Sequence, residues 1–152
     1  MYLNNEHLKL LKSAEGKILE KVYYHFWVNK ANSEDIFSFL EYIEFQFKDE
    51  AKLILQKADD VNDMIIPVPS LDIALLNYNL QIEFKGSLQY QTRDASNGNA
   101  WRNLIGFEID DVLVEEDDGF FIAEAIIIGT HKHQTIIRLE NDGLEAEEYI
   151  IE

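Results

Sequence analysis

The last third of the chain limits the fold most strongly. Four apolar runs, at 107–114, 120–128, 135–139 and 144–151, are separated by connections of at most six residues. A parallel pair of strands needs a crossover of a dozen or more residues, so runs this closely spaced can pair only antiparallel. Asp118-Gly119 and Asn141-Asp142-Gly143 supply turn chemistry at two of the connections. The segment therefore reads as an antiparallel meander.

The first half carries the same grammar less cleanly. Residues 3–11 are compatible with one short helix or an irregular lead-in. Residues 17–28 alternate as a strand, with Ile18, Val22, Tyr24, Phe26 and Val28 on one face and Tyr23, His25 and Trp27 on the other. Ser33-Glu34-Asp35 predicts the cap of a single helical turn running to Phe39. Residues 42–48 form a strand, 48–51 a hairpin connection, 52–56 the returning strand and 59–63 an acidic turn. Pro67 and Pro69 are expected to end regular structure after the apolar run 64–66. Residues 71–84 satisfy two periods, and we read a turn or two of helix followed by a strand. The polar stretch 86–103 is the longest loop candidate.

Two segments repeat a pattern at an offset of 90 residues. Gly16, Leu19 and Val22 match Gly106, Ile109 and Val112 in spacing. Each is followed by two strands joined by a short polar connection and then an acidic turn. The expected fold is mostly β (α+β at most), a single domain over 1–152. Two pseudo-repeated halves, about 13–63 and 103–152, pack as a sandwich or barrel-like core with one or two short helices.

Composition bounds the function. The chain of 152 residues contains no cysteine, which excludes disulfides, thiolate nucleophiles and cysteine-based zinc sites. Its net charge is −16, and residues 86–152 alone carry 15 Asp/Glu against 4 Lys/Arg, a net of −11. Such a field repels phosphate backbones and anionic membrane surfaces and favours encounter with a basic protein. The longest apolar stretch, 120–128, is interrupted by Glu124 and falls well short of a membrane span. The N-terminus lacks the pattern of a secretory signal, so a cytoplasmic protein with no nucleic-acid and no membrane partner is expected.

No constellation of catalytic residues stands out. No serine lies in a Gly-x-Ser-x-Gly elbow, and no glycine-rich phosphate loop is present. Asp110 and Asp111 are neighbours on a strand and point to opposite faces. His131 and His133 share a face at i and i+2, but Lys132 lies between them and they read as turn residues rather than metal ligands. His25, among aromatics, reads as a hydrogen-bonded structural residue. No cofactor is expected. The residues that suggest binding are Trp101 with Arg102, as an aromatic anchor beside a charge, and the acidic run Glu115, Glu116, Asp117 and Asp118 as a face for a basic partner.

The pattern Leu104-Ile105-Gly106-x-x-Ile109-x-x-Val112, followed by a turn, a strand and a Gly-containing hairpin, resembles small β-rich bacterial families. Some of these resemble the immunity proteins of toxin systems, which are commonly small, acidic and non-enzymatic. The resemblance covers about the last third of the chain. It implies a non-enzymatic acidic domain that docks on a basic partner, an immunity-type inhibitor of a basic toxin. Two alternatives stand beside it. One is a small-molecule-binding or enzymatic β-barrel whose aromatics line an internal cavity. The other is a structural or oligomerisation domain pairing through edge strands.

Overall fold

Gly16 and Gly106 both adopt the left-handed backbone conformation, with φ of +84° and +88°, where a side chain is strained. At these points the chain leaves a lead-in, a helix and turn before Gly16 and a run of turns before Gly106, and heads for a strand, and the two points meet. In the computed structural model, which describes residues 2–32, 34–58, 64–140 and 142–150 (backbone only at 117 and 122), Gly16 N–H donates to Ile109 C=O and Gly106 N–H donates to Leu19 C=O, at 2.8 and 2.7 Å. Leu19 N–H donates to Phe107 C=O and Ile109 N–H to Lys17 C=O, around the bridge Ile18–Glu108. Exchanging each residue for its counterpart 90 positions away maps this ladder onto itself. The same exchange relates Leu11 to Trp101, Ala14 to Leu104, Leu19 to Ile109 and Val22 to Val112, and all eight are buried.

From each glycine the chain runs into a four-stranded antiparallel meander. The first follows helix α1 (Asn5–Lys12) and comprises β1 (Leu19–Asn29), β2 (Phe37–Phe47), β3 (Lys52–Lys57) and β4 (Ile65–Val68). Helix α2 (Ile73–Phe84) and β5 (Leu88–Asp94) come next, and β5 adds to β1, giving the order β4-β3-β2-β1-β5. The second meander is β6 (Asp111–Asp117), β7 (Phe120–Gly129), β8 (Gln134–Glu140) and β9 (Gly143–Tyr149), paired in that order. The two sheets pack on each other as open layers and do not close into a barrel. β2 rests on β9 and β7 on β4, contacts that exchange when the strands of the two meanders are matched in order. One apolar cluster, with Phe45, Ile43, Leu55, Trp101, Ile126 and Ile137 at its centre, draws on both halves.

Several expectations are corrected. The predicted helical turn through Phe39 is the start of strand β2, because Phe39 stacks on Trp27 and Phe37 meets it edge-on across the β1–β2 pair. Pro67 lies inside β4 and does not end it. β4 is an edge strand, where a residue without an N–H is tolerated. Residues 73–84 are helical throughout, capped by the Asp72 carboxylate on Leu75 N–H. The polar stretch 86–103 contains β5, an edge strand whose residues 91–94 are exposed. The acidic turn at 59–63 lies outside the described residues. The turn at Asp118-Gly119 is as expected, with both residues at positive φ (49° and 82°), the two-residue hairpin geometry whose twist matches the strands.

Two bulges change the face reading of the first sheet. Glu20 of β1 is unpaired, which puts Leu19 and Val22 on the same face. Glu41 of β2 is the extra residue of a bulge opposite His25 and Phe26, which puts Glu41 and Tyr42 together on the outer face. That outer face holds a buried polar layer.

Candidate functional site

The outer layer of the first sheet is closed by its own hydrogen bonds. His25 Nε2 lies 3.0 Å from Glu44 Oε1, and its Nδ1 lies 2.8 Å from Thr92 Oγ1. Gln46 Nε2 donates to the other Glu44 oxygen at 2.6 Å, with Lys52 Nζ 3.7 Å away. The hydrogen bond from His25 holds the Glu44 carboxyl down at about 2 against the desolvation that opposes it. Tyr90 OH donates to Glu41, and burial, reinforced by that carboxylate, raises its pKa. His25 is thus the hydrogen-bonded structural residue the sequence suggests, with both ring nitrogens committed to neighbours.

A cleft of about 590 Å³ opens where β9 crosses β2. One wall is aromatic: Phe26 from β1, and Phe37 and Phe39 from β2. The other is acidic: Glu140 at the end of β8, Asp142 in the turn and Glu145 on β9. No Lys, Arg or His is among the described residues that line it. Gly143 makes the walls meet. A Cβ there would lie 2.8 Å from Leu40 O and 3.0 Å from Leu40 N, so only glycine lets the first residue of β9 approach the β2 backbone this closely. Gly143→Val is therefore expected to push β9 off β2 and cost about 1–3 kcal/mol, read as a lower urea midpoint at unchanged slope.

The rings already carry cations. The Arg93 guanidinium sits 5.0 Å over Phe26, and Lys57 Nζ sits 5.8 Å over Phe39. Both are cation–π distances, and exposed contacts of this kind contribute about 0.5–1 kcal/mol. An aromatic floor beside a carboxylate rim is the chemistry that takes a guanidinium or ammonium group with an apolar stem.

Trp101, Arg102 and the acidic run, the binding residues read from sequence, are not brought together. Trp101 is wholly buried, packed edge-on to Phe45 at 5.1 Å, and its Nε1–H donates to Tyr24 OH at 2.6 Å. It is no exposed anchor, because its position in the lead-in before Gly106 points it into the core, as Leu11 does before Gly16. Arg102 is exposed and lines a different cleft, of about 570 Å³, with Asp110, His131 and His133. There His131 N–H donates to Asp110 at 2.9 Å, and Thr130 Oγ1 accepts from Lys132 and His133 N–H, a self-satisfied turn. Glu115, Glu116 and Asp118 are exposed at the far end of the β6–β7 ladder, about 20 Å away by strand rise. Of Asp117 only the backbone is described. β6 and β9 are opposite edges of their sheet, so the acidic hairpin and the β2–β9 cleft are separate surfaces.

Sequence reading missed the cleft because its two walls lie about a hundred residues apart and Phe26, Phe37 and Phe39 look like core residues. The charge imbalance of the C-terminal half is the one signal that points toward it. Comparison with family models, curated proteins and solved structures finds no match. Among the described residues no helix is long and apolar enough to cross a membrane, and no group of His, Asp and Glu is arranged to hold a metal ion.

Proposed function

We propose that the protein is a non-enzymatic binding domain that seats a basic segment of a partner protein in the β2–β9 cleft, in the manner of the immunity-type inhibitors its C-terminal pattern resembles. The observation that carries this reading is the pairing of an aromatic wall, two of whose rings already hold Arg93 and Lys57, with Glu140, Asp142 and Glu145 on the opposite wall of the cleft. The rest of the surface supports it. A net charge of −16 steers a basic partner toward the molecule, and the cleft supplies contacts that discriminate Arg or Lys from other groups.

An arginine-rich nonapeptide tests the site directly. Trp27 stacks on Phe39 at 5.3 Å, so its fluorescence reports what enters the cleft. Titration is expected to be saturable and to weaken as salt rises. Reversing the rim with Glu140→Lys, Asp142→Lys and Glu145→Lys should weaken binding at least tenfold, about 1.4 kcal/mol. Glu115→Lys with Glu116→Lys should leave it within about twofold. Equal losses in both variants would show general charge attraction and remove the cleft from the proposal.

The same volume suits a second reading. Small-molecule sites span about 300–1,000 Å³, and a small aromatic-stacking organic cation satisfies the same walls. The sheets are open layers, with Phe45 and Trp101 packed edge-on in the core, so this reading takes the β2–β9 cleft rather than a barrel interior as its site.

A further inference from the structure

Helix α2 has no buried residue, although ten consecutive positions, 73–82, carry no charge in a chain of net −16. It presents two apolar stripes. Ile73, Leu76, Asn77 and Leu80 are half-buried. Their spacing is that of one helix face. Asn77 fastens this face to β5: its amide accepts from Tyr90 N–H at 2.7 Å and donates to Tyr90 C=O at 3.0 Å. That pairing occupies backbone groups on the outer edge of β5 and blocks further strand addition there. The second stripe is Leu75, Tyr78 and Ile82, which are 54%, 64% and 63% exposed. Their spacing of three and four residues is the seam of a helix that packs on another helix.

We propose that this seam is the contact between two copies of the chain, with the helices antiparallel about a twofold axis beside Tyr78 and Asn79. The charges select both partner and direction. In this register Leu75 faces Ile82 of the second copy, and Asp72 at the helix start faces Lys85 at the other helix's end, so each end gains an opposite-charge pair. A parallel arrangement would set Lys85 against Lys85 and Asp72 against Asp72. Two molecules of net −16 can also approach most easily over a surface this poor in charge. The seam offers on the order of 350 Å² of apolar surface per copy, somewhat under half the usual share of a stable interface. The dimer is accordingly one that dissociates on dilution.

Sedimentation equilibrium from about 1 to about 300 µM is expected to show reversible passage from one chain to two. Leu75→Glu, at an exposed position, should raise the half-dimerisation concentration at least tenfold. Adding Ile82→Lys to Leu75→Glu should restore dimer formation in a salt-sensitive way, because antiparallel helices set residue 75 against residue 82. A monomer at every concentration, or a dimer indifferent to Leu75→Glu, overturns the proposal. Failure of the double variant to recover overturns the antiparallel register. A monomer that cosediments with neutral phosphatidylcholine vesicles would put a lipid surface in place of the second copy.

Discussion

Trp101→Ala is expected to remove about 3–5 kcal/mol of folding stability, the range for deleting a fully buried aromatic side chain. The side chain is 0% exposed and lies where the two halves of the molecule meet. Three losses add. The cavity left beside Phe45 forfeits the edge-on ring contact at 5.1 Å. The apolar transfer energy of the indole is lost. Tyr24 OH, in a site where burial already raises its pKa, loses the indole N–H that donates to it. Trp101→Phe narrows these effects, because it keeps an aromatic ring and most of the volume while removing the donor, and its expected cost is about 1–3 kcal/mol. Urea unfolding at 25 °C reads both. A Trp101→Ala protein within about 1 kcal/mol of wild type would contradict the packing of Trp101 against Phe45.

Acid is expected to destabilise the protein through Glu44 in a window that can be stated beforehand. The carboxyl titrates at 4.5 in an ordinary environment and at about 2 in the fold, chiefly because His25 hydrogen-bonds it. A depressed folded-state pKa means that the unfolded chain takes up the proton first as pH falls. The stabilisation is complete above about pH 4.5 and is lost as pH drops toward 2. It amounts to about 3 kcal/mol in all, of which about 2 kcal/mol goes between pH 6 and pH 3. The Glu44 side chain is only 11% exposed, so solvent screening does not dissolve the effect. Asp49 and Asp94 are also shifted down, by Lys17 and by Ser96, but they are exposed and add little. Glu44→Gln keeps the shape and removes the titration. The stability difference between wild type and Glu44→Gln should therefore shrink by about 2 kcal/mol from pH 6 to pH 3. A difference that stays constant over that range would place the acid response elsewhere.

His25 and Trp101 show how far the sequence reaches. His25 among Tyr23, Tyr24, Phe26 and Trp27 reads as a structural histidine, and the fold agrees, but its partners Glu44 and Thr92 lie on two other strands. Trp101 beside Arg102 reads as an exposed anchor because nothing local distinguishes a surface tryptophan from a buried one. Its match with Leu11, 90 residues away, carries the information, and only through the repeat. The repeat itself is legible in three residues, Gly16-Leu19-Val22 and Gly106-Ile109-Val112. Glycine at a left-handed position and aliphatics at fixed spacing leave a mark in any sequence.

What the sequence determined by itself is local chemistry with a short reach. It includes the antiparallel meander demanded by short connections, the Asp118-Gly119 hairpin, the paired glycines, the absence of cysteine and the acidic C-terminal half. What only the tertiary structure decided is every feature that depends on which face meets which. Residues 73–84 satisfy both helical and strand periods in part, and the choice went to the helix that caps the β5 edge through Asn77. Polar residues 88–94 became a strand because β1 offered an open edge. The bulge at Glu41 turned two consecutive side chains to one face. The β2–β9 cleft exists because Gly143 lets two strands from different sheets approach within backbone contact. Periodicity and turn chemistry act over a few residues, whereas burial is a property of surfaces that come together from distant parts of the chain.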